Sequence, residues 1–385
     1  MKILVFGSYF SDNLGDGVIC ECVKALLQKR CLWDEVSIMD LRNRDQFQMR
    51  GVKSVKAIRK RECRKWLRAQ ISRMGIVDKQ YKNEVNRMTQ EREYFERLRE
   101  QECDLVIVAG GQLFMDSYAL RLHYITKCFA EKGIPIIYNA CGAGPNYSKQ
   151  IRKCLSETLE NPGVYGVSCR DDVEKINCRY TMASKRTVPT YDPALGCSEC
   201  YGVVRDMESD VIGLGIMAPT RSTVKASCFF WARLIRELER KGIKWKAFVN
   251  GSGSDYTFAR YVLEAVPGLD RPIEECLVSI PLYPRELVET ISQFKSIISF
   301  RLHSHIIAAS LDIPSVAVVW DDKVRFFFEK IGHSERCCRL WDRPQKVLDK
   351  LIAAEKEGYD RALIEEQKHY SEKWLFNAIE STGLI

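Results

Sequence analysis

No stretch of the 385-residue chain approaches the roughly 18–20 continuous apolar residues of a membrane-spanning helix. The N-terminus also lacks the long apolar core and cleavage site of an export signal. Lys2-Ile3-Leu4-Val5-Phe6-Gly7 reads instead as a strand running directly into a glycine. There is no internal repeat and no low-complexity run. Charge of one sign is in short supply: 59 Lys+Arg against 51 Asp+Glu leaves a net charge of +8, too mild for a dedicated nucleic-acid binder. An apolar content of 46% with 29% charged residues excludes a disordered chain or a fibre. The expectation is a cytosolic protein with no nucleic-acid partner, able at most to touch a membrane surface.

Cysteine, by contrast, is plentiful at sixteen. Cys128, Cys141, Cys169 and Cys228 sit inside apolar runs and read as reduced core thiols. Cys197-x-x-Cys200 is an isolated pair. A zinc site would need a second Cys/His pair, for which Cys169 and Cys178 are only loose candidates, so no metal is expected there.

Short β-branched runs alternate with helical patterns. The first series is Ile3–Phe6, Glu35–Met39, Asp104–Ala109, Pro135–Ala140, Val164–Cys169 and the fainter Thr187–Tyr191. After a polar stretch at Gly196–Asp210 comes a second: Val211–Met217, Trp245–Asn250, Ser296–Phe300 and Ser315–Trp320. Such alternation argues α/β with parallel sheets covered on both faces. The expected organisation is one Rossmann-like domain over 1–195, a second over 196–340 and a helical tail over 341–385. Residues 42–100 break the pattern. Between Arg42 and Arg73 twelve Lys/Arg stand against two acids, with Val52, Val55, Ile58, Trp66, Leu67, Ile71 and Met74 near helical spacing. This reads as a basic amphipathic helical insertion in the first domain. It is either a solvated face or a membrane-surface contact.

In open parallel sheets ligands bind beyond the carboxyl ends of the strands. The residues collected there are Asn13-x-Gly15-Asp16, the Gly110-Gly111 turn, Gly142-x-Gly144-Pro145, Arg170-Asp171, Asp192, and the Arg301-Leu302-His303-Ser304-His305 block, with Lys323 after the last strand. Helix N-termini there offer free N–H groups, and Arg170, Arg301 and Lys323 add positive charge, which suits a small polyanion. Arg170-Asp171 also reads as a plain ion pair. His303 and His305 alone lack the further ligands of a zinc site, so no metal is assigned. His123 and His369 read as surface or satisfied helix residues.

In order and at these positions, the motifs resemble the polysaccharide pyruvyl transferase family. The most specific block is Ser299 to Ser310, continuing through Ile313-Pro314-Ser315 to Asp322-Lys323. The resemblance implies two Rossmann-like domains facing across a cleft, as in glycosyltransferase B folds. It also implies transfer of the enolpyruvyl unit of phosphoenolpyruvate onto a hydroxyl pair of a sugar. The product would be a pyruvate ketal in a cell-surface polysaccharide or its lipid-linked precursor. The partners would be phosphoenolpyruvate as co-substrate and a sugar acceptor, with no cofactor. By motif match His303 is the expected catalytic acid, with Arg170, Arg301 and Lys323 as catalytic cations. Asn13, Asp16, Gly110, Gly111, Gly142, Gly144, Asp192 and Ser304 are expected to bind substrate. Two readings stay open beside this one: a nucleotide-sugar glycosyltransferase of the same architecture, and a non-catalytic glycan- or lipid-binding scaffold.

Overall fold

The computed structural model describes residues 1–29, 35–49, 51, 54–73, 78–144, 148–180, 186–219 and 224–384. Val52, Met74 and Pro145 lie outside them.

Six parallel strands make the first sheet. They are β1 (Lys2–Gly7), β2 (Glu35–Asp40), β3 (Leu105–Phe114), β4 (Ile136–Ala143), β5 (Val164–Cys169) and β6 (Val188–Pro189), in the order β2-β1-β3-β4-β5-β6. Five make the second: β7 (Ile212–Gly215), β8 (Trp245–Phe248), β9 (Ser296–Ser299), β10 (Ser315–Val318) and β11 (Cys337–Cys338), in the order β11-β10-β9-β7-β8. The central strands are buried on both faces, which is why they read as continuous apolar runs rather than alternating ones. Each wholly buried Leu, Ile or Val among them contributes about 1.5–3 kcal/mol.

Two glycine motifs depart from the sequence reading. Gly110 and Gly111 do not form a turn. β3 runs on through them to Phe114, with its pairing to β4 shifted between Gly111 and Phe114. Gly111 takes φ +83°, a conformation that glycine adopts without steric cost. Gly142 likewise lies inside β4, and a Cβ there would fall 2.2 Å from Asp171 Oδ2.

The basic insertion is divided. Its first helix, Val55–Arg73, docks on the second half: Ile58 is buried in that core, and Arg61 NH1 donates to Ser254 Oγ at 3.2 Å. Helices Lys79–Gln90 and Arg92–Glu100 stay with the first half, where Tyr94, Phe95 and Leu98 enter the core. Tyr94 there donates to Asp40 O at 2.7 Å. The C-terminal region divides in the same way. Helix Pro344–Glu357 puts Val347, Leu348 and Leu351 into the second core. Helix Arg361–Glu380, capped by Asp360 on Leu363 N, crosses back to bury Leu375, Phe376 and Ile379 with the first. Among the described residues no helix is long and apolar enough to cross a membrane.

Candidate active site

All strands of each sheet run the same way, so each half gathers its carboxyl ends at one edge. The two edges meet. Leu14 N, opening helix Leu14–Lys29 after β1, donates to Asn250 O beyond β8 at 2.9 Å. Lys330 Nζ, ending helix Asp322–Lys330, donates to Arg170 O at 2.6 Å and to Thr190 O at 3.2 Å. Lys323 Nζ, in the first turn of that helix, donates to Gln112 Oε1 at 3.2 Å.

His303 lies in this seam, in the first turn of helix Leu302–Ser310, which follows β9 directly. It is buried, and its Nε2 lies 3.1 Å from Arg170 NH1. Arginine only donates, so Nε2 is the acceptor, and the neutral ring carries its proton on Nδ1. Burial pushes the His303 pKa well below the ordinary 6.5, and the charges of Arg170, Lys323 and Arg301 push it further down. The imidazole is therefore neutral near pH 7 until something offsets those charges.

The cations are not all equally available. Arg170 is buried and ion-paired through NH1 to Asp192, with its Nε 3.6 Å from Asp171. Arg301 donates through Nε and NH2 to buried Asp255 at 2.9 and 2.5 Å, and Asp255 also accepts Ala218 N at 3.0 Å. NH1 of Arg301 has no hydrogen-bond partner among the described residues. Lys323 meets a neutral amide instead of a carboxylate, and burial beside Arg170 and Arg301 lowers its pKa. Of the three expected cations, Lys323 is the one whose side-chain hydrogen bond goes to an amide and not to a carboxylate, with Asp321 as its nearest acidic influence.

Asp16 faces the same seam, in the first turn of helix Leu14–Lys29. Burial raises its pKa, while Arg170, Lys323 and hydrogen bonds from Ser11 and Asn13 hold it down. Asn13 Oδ1 is buried without a hydrogen bond, a donor-seeking group at the seam.

Two expected substrate-binding residues are otherwise engaged. Ser304 is wholly buried and its hydroxyl donates to Asn250 Oδ1 at 2.9 Å, next to the Leu14–Asn250 contact. Asp192 is spent on Arg170 and on the turn after it, accepting Ala194 N at 2.9 Å. Gly110 and Gly144 make room for side chains: a Cβ on Gly110 would fall 2.8 Å from Ile19 Cγ2, and one on Gly144 2.6 Å from Met115 Cβ. His305 is buried beneath the site. Its Nε2 donates to Ser299 O at 3.0 Å, and Nδ1 meets Ser315 Oγ at 3.1 Å. Gln112, Asn250, Asp255 and Lys330 were not singled out from sequence. Only Gln112 had a signal, its place directly after the glycine pair.

Two parallel α/β sheets meeting at their carboxyl edges define the glycosyltransferase B architecture, and solved structures agree. The S. aureus MnaA–UDP co-structure is 12% identical, with 98% of this chain and 96% of that one covered at a TM-score of 0.56. The UDP-GlcNAc 2-epimerase from Neisseria meningitidis bound to UDP-GlcNAc is 14% identical, with 98% and 99% covered at a TM-score of 0.53. At such identities the likeness is one of fold. No curated protein matches the chain. The sequence model of the polysaccharide pyruvyl transferase family matches residues 13–322, and the chain belongs to that family.

Proposed function

We propose that the protein transfers the enolpyruvyl unit of phosphoenolpyruvate onto two hydroxyls of one sugar. The product is a pyruvate ketal in a cell-surface polysaccharide or its lipid-linked precursor. The observation that carries this reading is His303, an imidazole kept neutral first by burial and then by three neighbouring cations. The donor brings a carboxylate and a phosphate. Set against Lys323 and the free edge of Arg301, these anions offset the positive field and let His303 take up a proton. Protonation at Nε2 turns an acceptor into a donor and breaks its bond to Arg170, since two N–H groups cannot face each other. Arg170 NH1 stays paired with Asp192, so Arg170 acts by positioning the neutral His303 ring.

His303 delivers its proton to C3 of the donor, making a methyl group and leaving C2 electrophilic. One sugar hydroxyl attacks C2 and its proton returns to His303; phosphate departs toward Lys323, the second hydroxyl closes the ring, and its proton leaves with the phosphate. In this reading Asn13 and Asp16, at the start of helix Leu14–Lys29, hold the acceptor hydroxyls. The chemistry is proton transfer and phosphate departure, which call for no redox or organic cofactor. A cytoplasmic site with a lipid-linked acceptor fits helix Val55–Arg73, whose basic face carries exposed Trp66 and Leu67 toward an anionic membrane surface.

The test sets phosphoenolpyruvate against a panel of nucleotide sugars in a thermal-shift assay. Mass spectrometry of the native glycan, with and without the protein, then seeks the ketal. Stabilisation by a nucleotide sugar alone would replace this reading with glycosyl transfer. A ketal that persists when His303 and Arg301 are both replaced would leave a non-catalytic scaffold.

A further inference from the structure

Behind the active-site seam, helix Leu14–Lys29, the segment 192–201 and helix Arg361–Glu380 enclose a cavity of about 300 Å³, lined in part by Cys22, Cys200, Leu26, Tyr191, Asp192 and Leu375. Cys22 and Cys200 both line its wall, on two helices that pack against each other. The partner that sequence spacing suggests for Cys200 is Cys197. That thiol is wholly buried and hydrogen-bonded with Ser310, and it does not line the cavity. The fold therefore brings a long-range pair to one cavity, Cys200 half-buried and Cys22 buried on its wall.

We propose that Cys22 and Cys200 form a reversible oxidation site for hydroperoxides. Cys200 is the attacking sulfur. It is the more accessible of the two, and the neighbouring Cys22 lowers its pKa against the opposing effects of burial and Glu21, while Cys200 and burial raise the pKa of Cys22. The Cys200 thiolate attacks one peroxide oxygen, the O–O bond breaks, and the other oxygen leaves as an alcohol, or as water from hydrogen peroxide. Cys200 is now a sulfenic acid. Cys22 sulfur attacks Cys200 sulfur, the S–O bond breaks, and hydroxide leaves with the Cys22 proton as water. Two thiols and one hydroperoxide give one disulfide, one alcohol and one water. A small dithiol reverses the step. The apolar side of the cavity, Leu26 and Leu375, admits organic hydroperoxides as well as hydrogen peroxide.

The location gives the modification something to act on. Asp192, which holds Arg170, opens the turn that leads into helix Cys197–Tyr201. Cys22 lies on helix Leu14–Lys29, which carries Gly15 and Asp16 in its first turn. A disulfide would tie together two supports of the active site.

The reduced full-length protein is exposed to one equivalent of hydrogen peroxide or cumene hydroperoxide, alkylated, digested and mapped by mass spectrometry. The expected product is a Cys22–Cys200 cross-linked peptide that dithiothreitol removes. Cys22→Ser should instead leave Cys200 as a sulfenic acid that dimedone traps, and Cys200→Ser should abolish both products. The wild-type map alone decides if a variant does not fold. A Cys197–Cys200 cross-link, oxidation spread over the other cysteines, or Cys200 recovered unmodified would each overturn the proposal.

Discussion

A Cβ placed on Gly15 would lie 2.3 Å from Cβ, Cγ and Nδ1 of His303. The two residues come from opposite halves of the molecule, and only the missing side chain lets the first helix approach the imidazole. Gly15→Ala gains about 1 kcal/mol of helix propensity but overpacks a buried ring, at a cost of about 1–3 kcal/mol. Stability should change little in net, while the imidazole is pushed from its seat. Phosphate release with acceptor present is expected to fall at least roughly tenfold, the effect of about 1.4 kcal/mol on the barrier. An unchanged rate would separate His303 placement from turnover.

His303→Ala is expected to lower turnover by about 10²–10⁴ while donor titration stays near wild type, the usual span for loss of a positioned acid. In deuterated water the wild-type ketal methyl should carry one deuterium, read by mass spectrometry. A product without deuterium would exclude addition of a solvent-exchangeable proton to the donor.

Arg301 and Arg170 should respond differently to lysine. Arg301→Lys keeps the charge but loses the planar fork, weakening phosphoenolpyruvate binding by about 1.5–3 kcal/mol in calorimetric titration. Arg170→Lys disturbs a buried pair with Asp192 and the neighbouring Asp171. Its larger effect should be on stability, approaching the ~3–5 kcal/mol of a broken buried pair, measured by chemical denaturation. Equal effects of the two substitutions on binding and on stability would contradict this division of labour.

Burial drives the His305 pKa down to about 4. The unfolded chain takes up a proton near pH 6.5, while the folded protein resists until about pH 4. Stability owed to the neutral ring is thus present above the unfolded value and is lost as pH falls through this window. At about 1.4 kcal/mol per unit the loss is on the order of 3 kcal/mol. Denaturation of wild type and His305→Asn across this range should show a shallower fall for the variant. Parallel curves would mean that the two states hold the same number of protons on His305.

Arg59, Lys60, Arg64 and Lys65 are exposed on the first insertion helix, beside Trp66 at 61% exposure. Each cation near an anionic surface is worth about 1 kcal/mol. Reversing all four charges should abolish co-sedimentation with anionic vesicles at low salt. Failure of the wild type to sediment would make the helix a solvated face.

The sheets were legible because buried parallel strands are apolar on both faces, as in Ile136–Cys141. β11 was not, since Cys337-Cys338 is a strand only by virtue of its pairing with Ala317 and Val318. The Arg-Leu-His block announced its own helix start. Nothing local announced that Asp255, on a helix after another strand, would take two donors from Arg301. Arg170 and Lys323 looked alike as cations after strands. Their difference lies in their partners, two carboxylates for one and an amide for the other, and partners are set by topology. The glycine pair of β3 was misread as a turn because positive φ suits a bulge as readily as a turn.

The seat of Ile58 in the second core has a mechanical consequence. The polypeptide passes between the halves at the 202–211 connection, again ahead of helix Arg361–Glu380, and also through the docked helix Val55–Arg73. Three ties resist separation where one would leave a free swivel. Opening the cleft must either unseat Ile58 and Arg61 or carry that helix along with the second half.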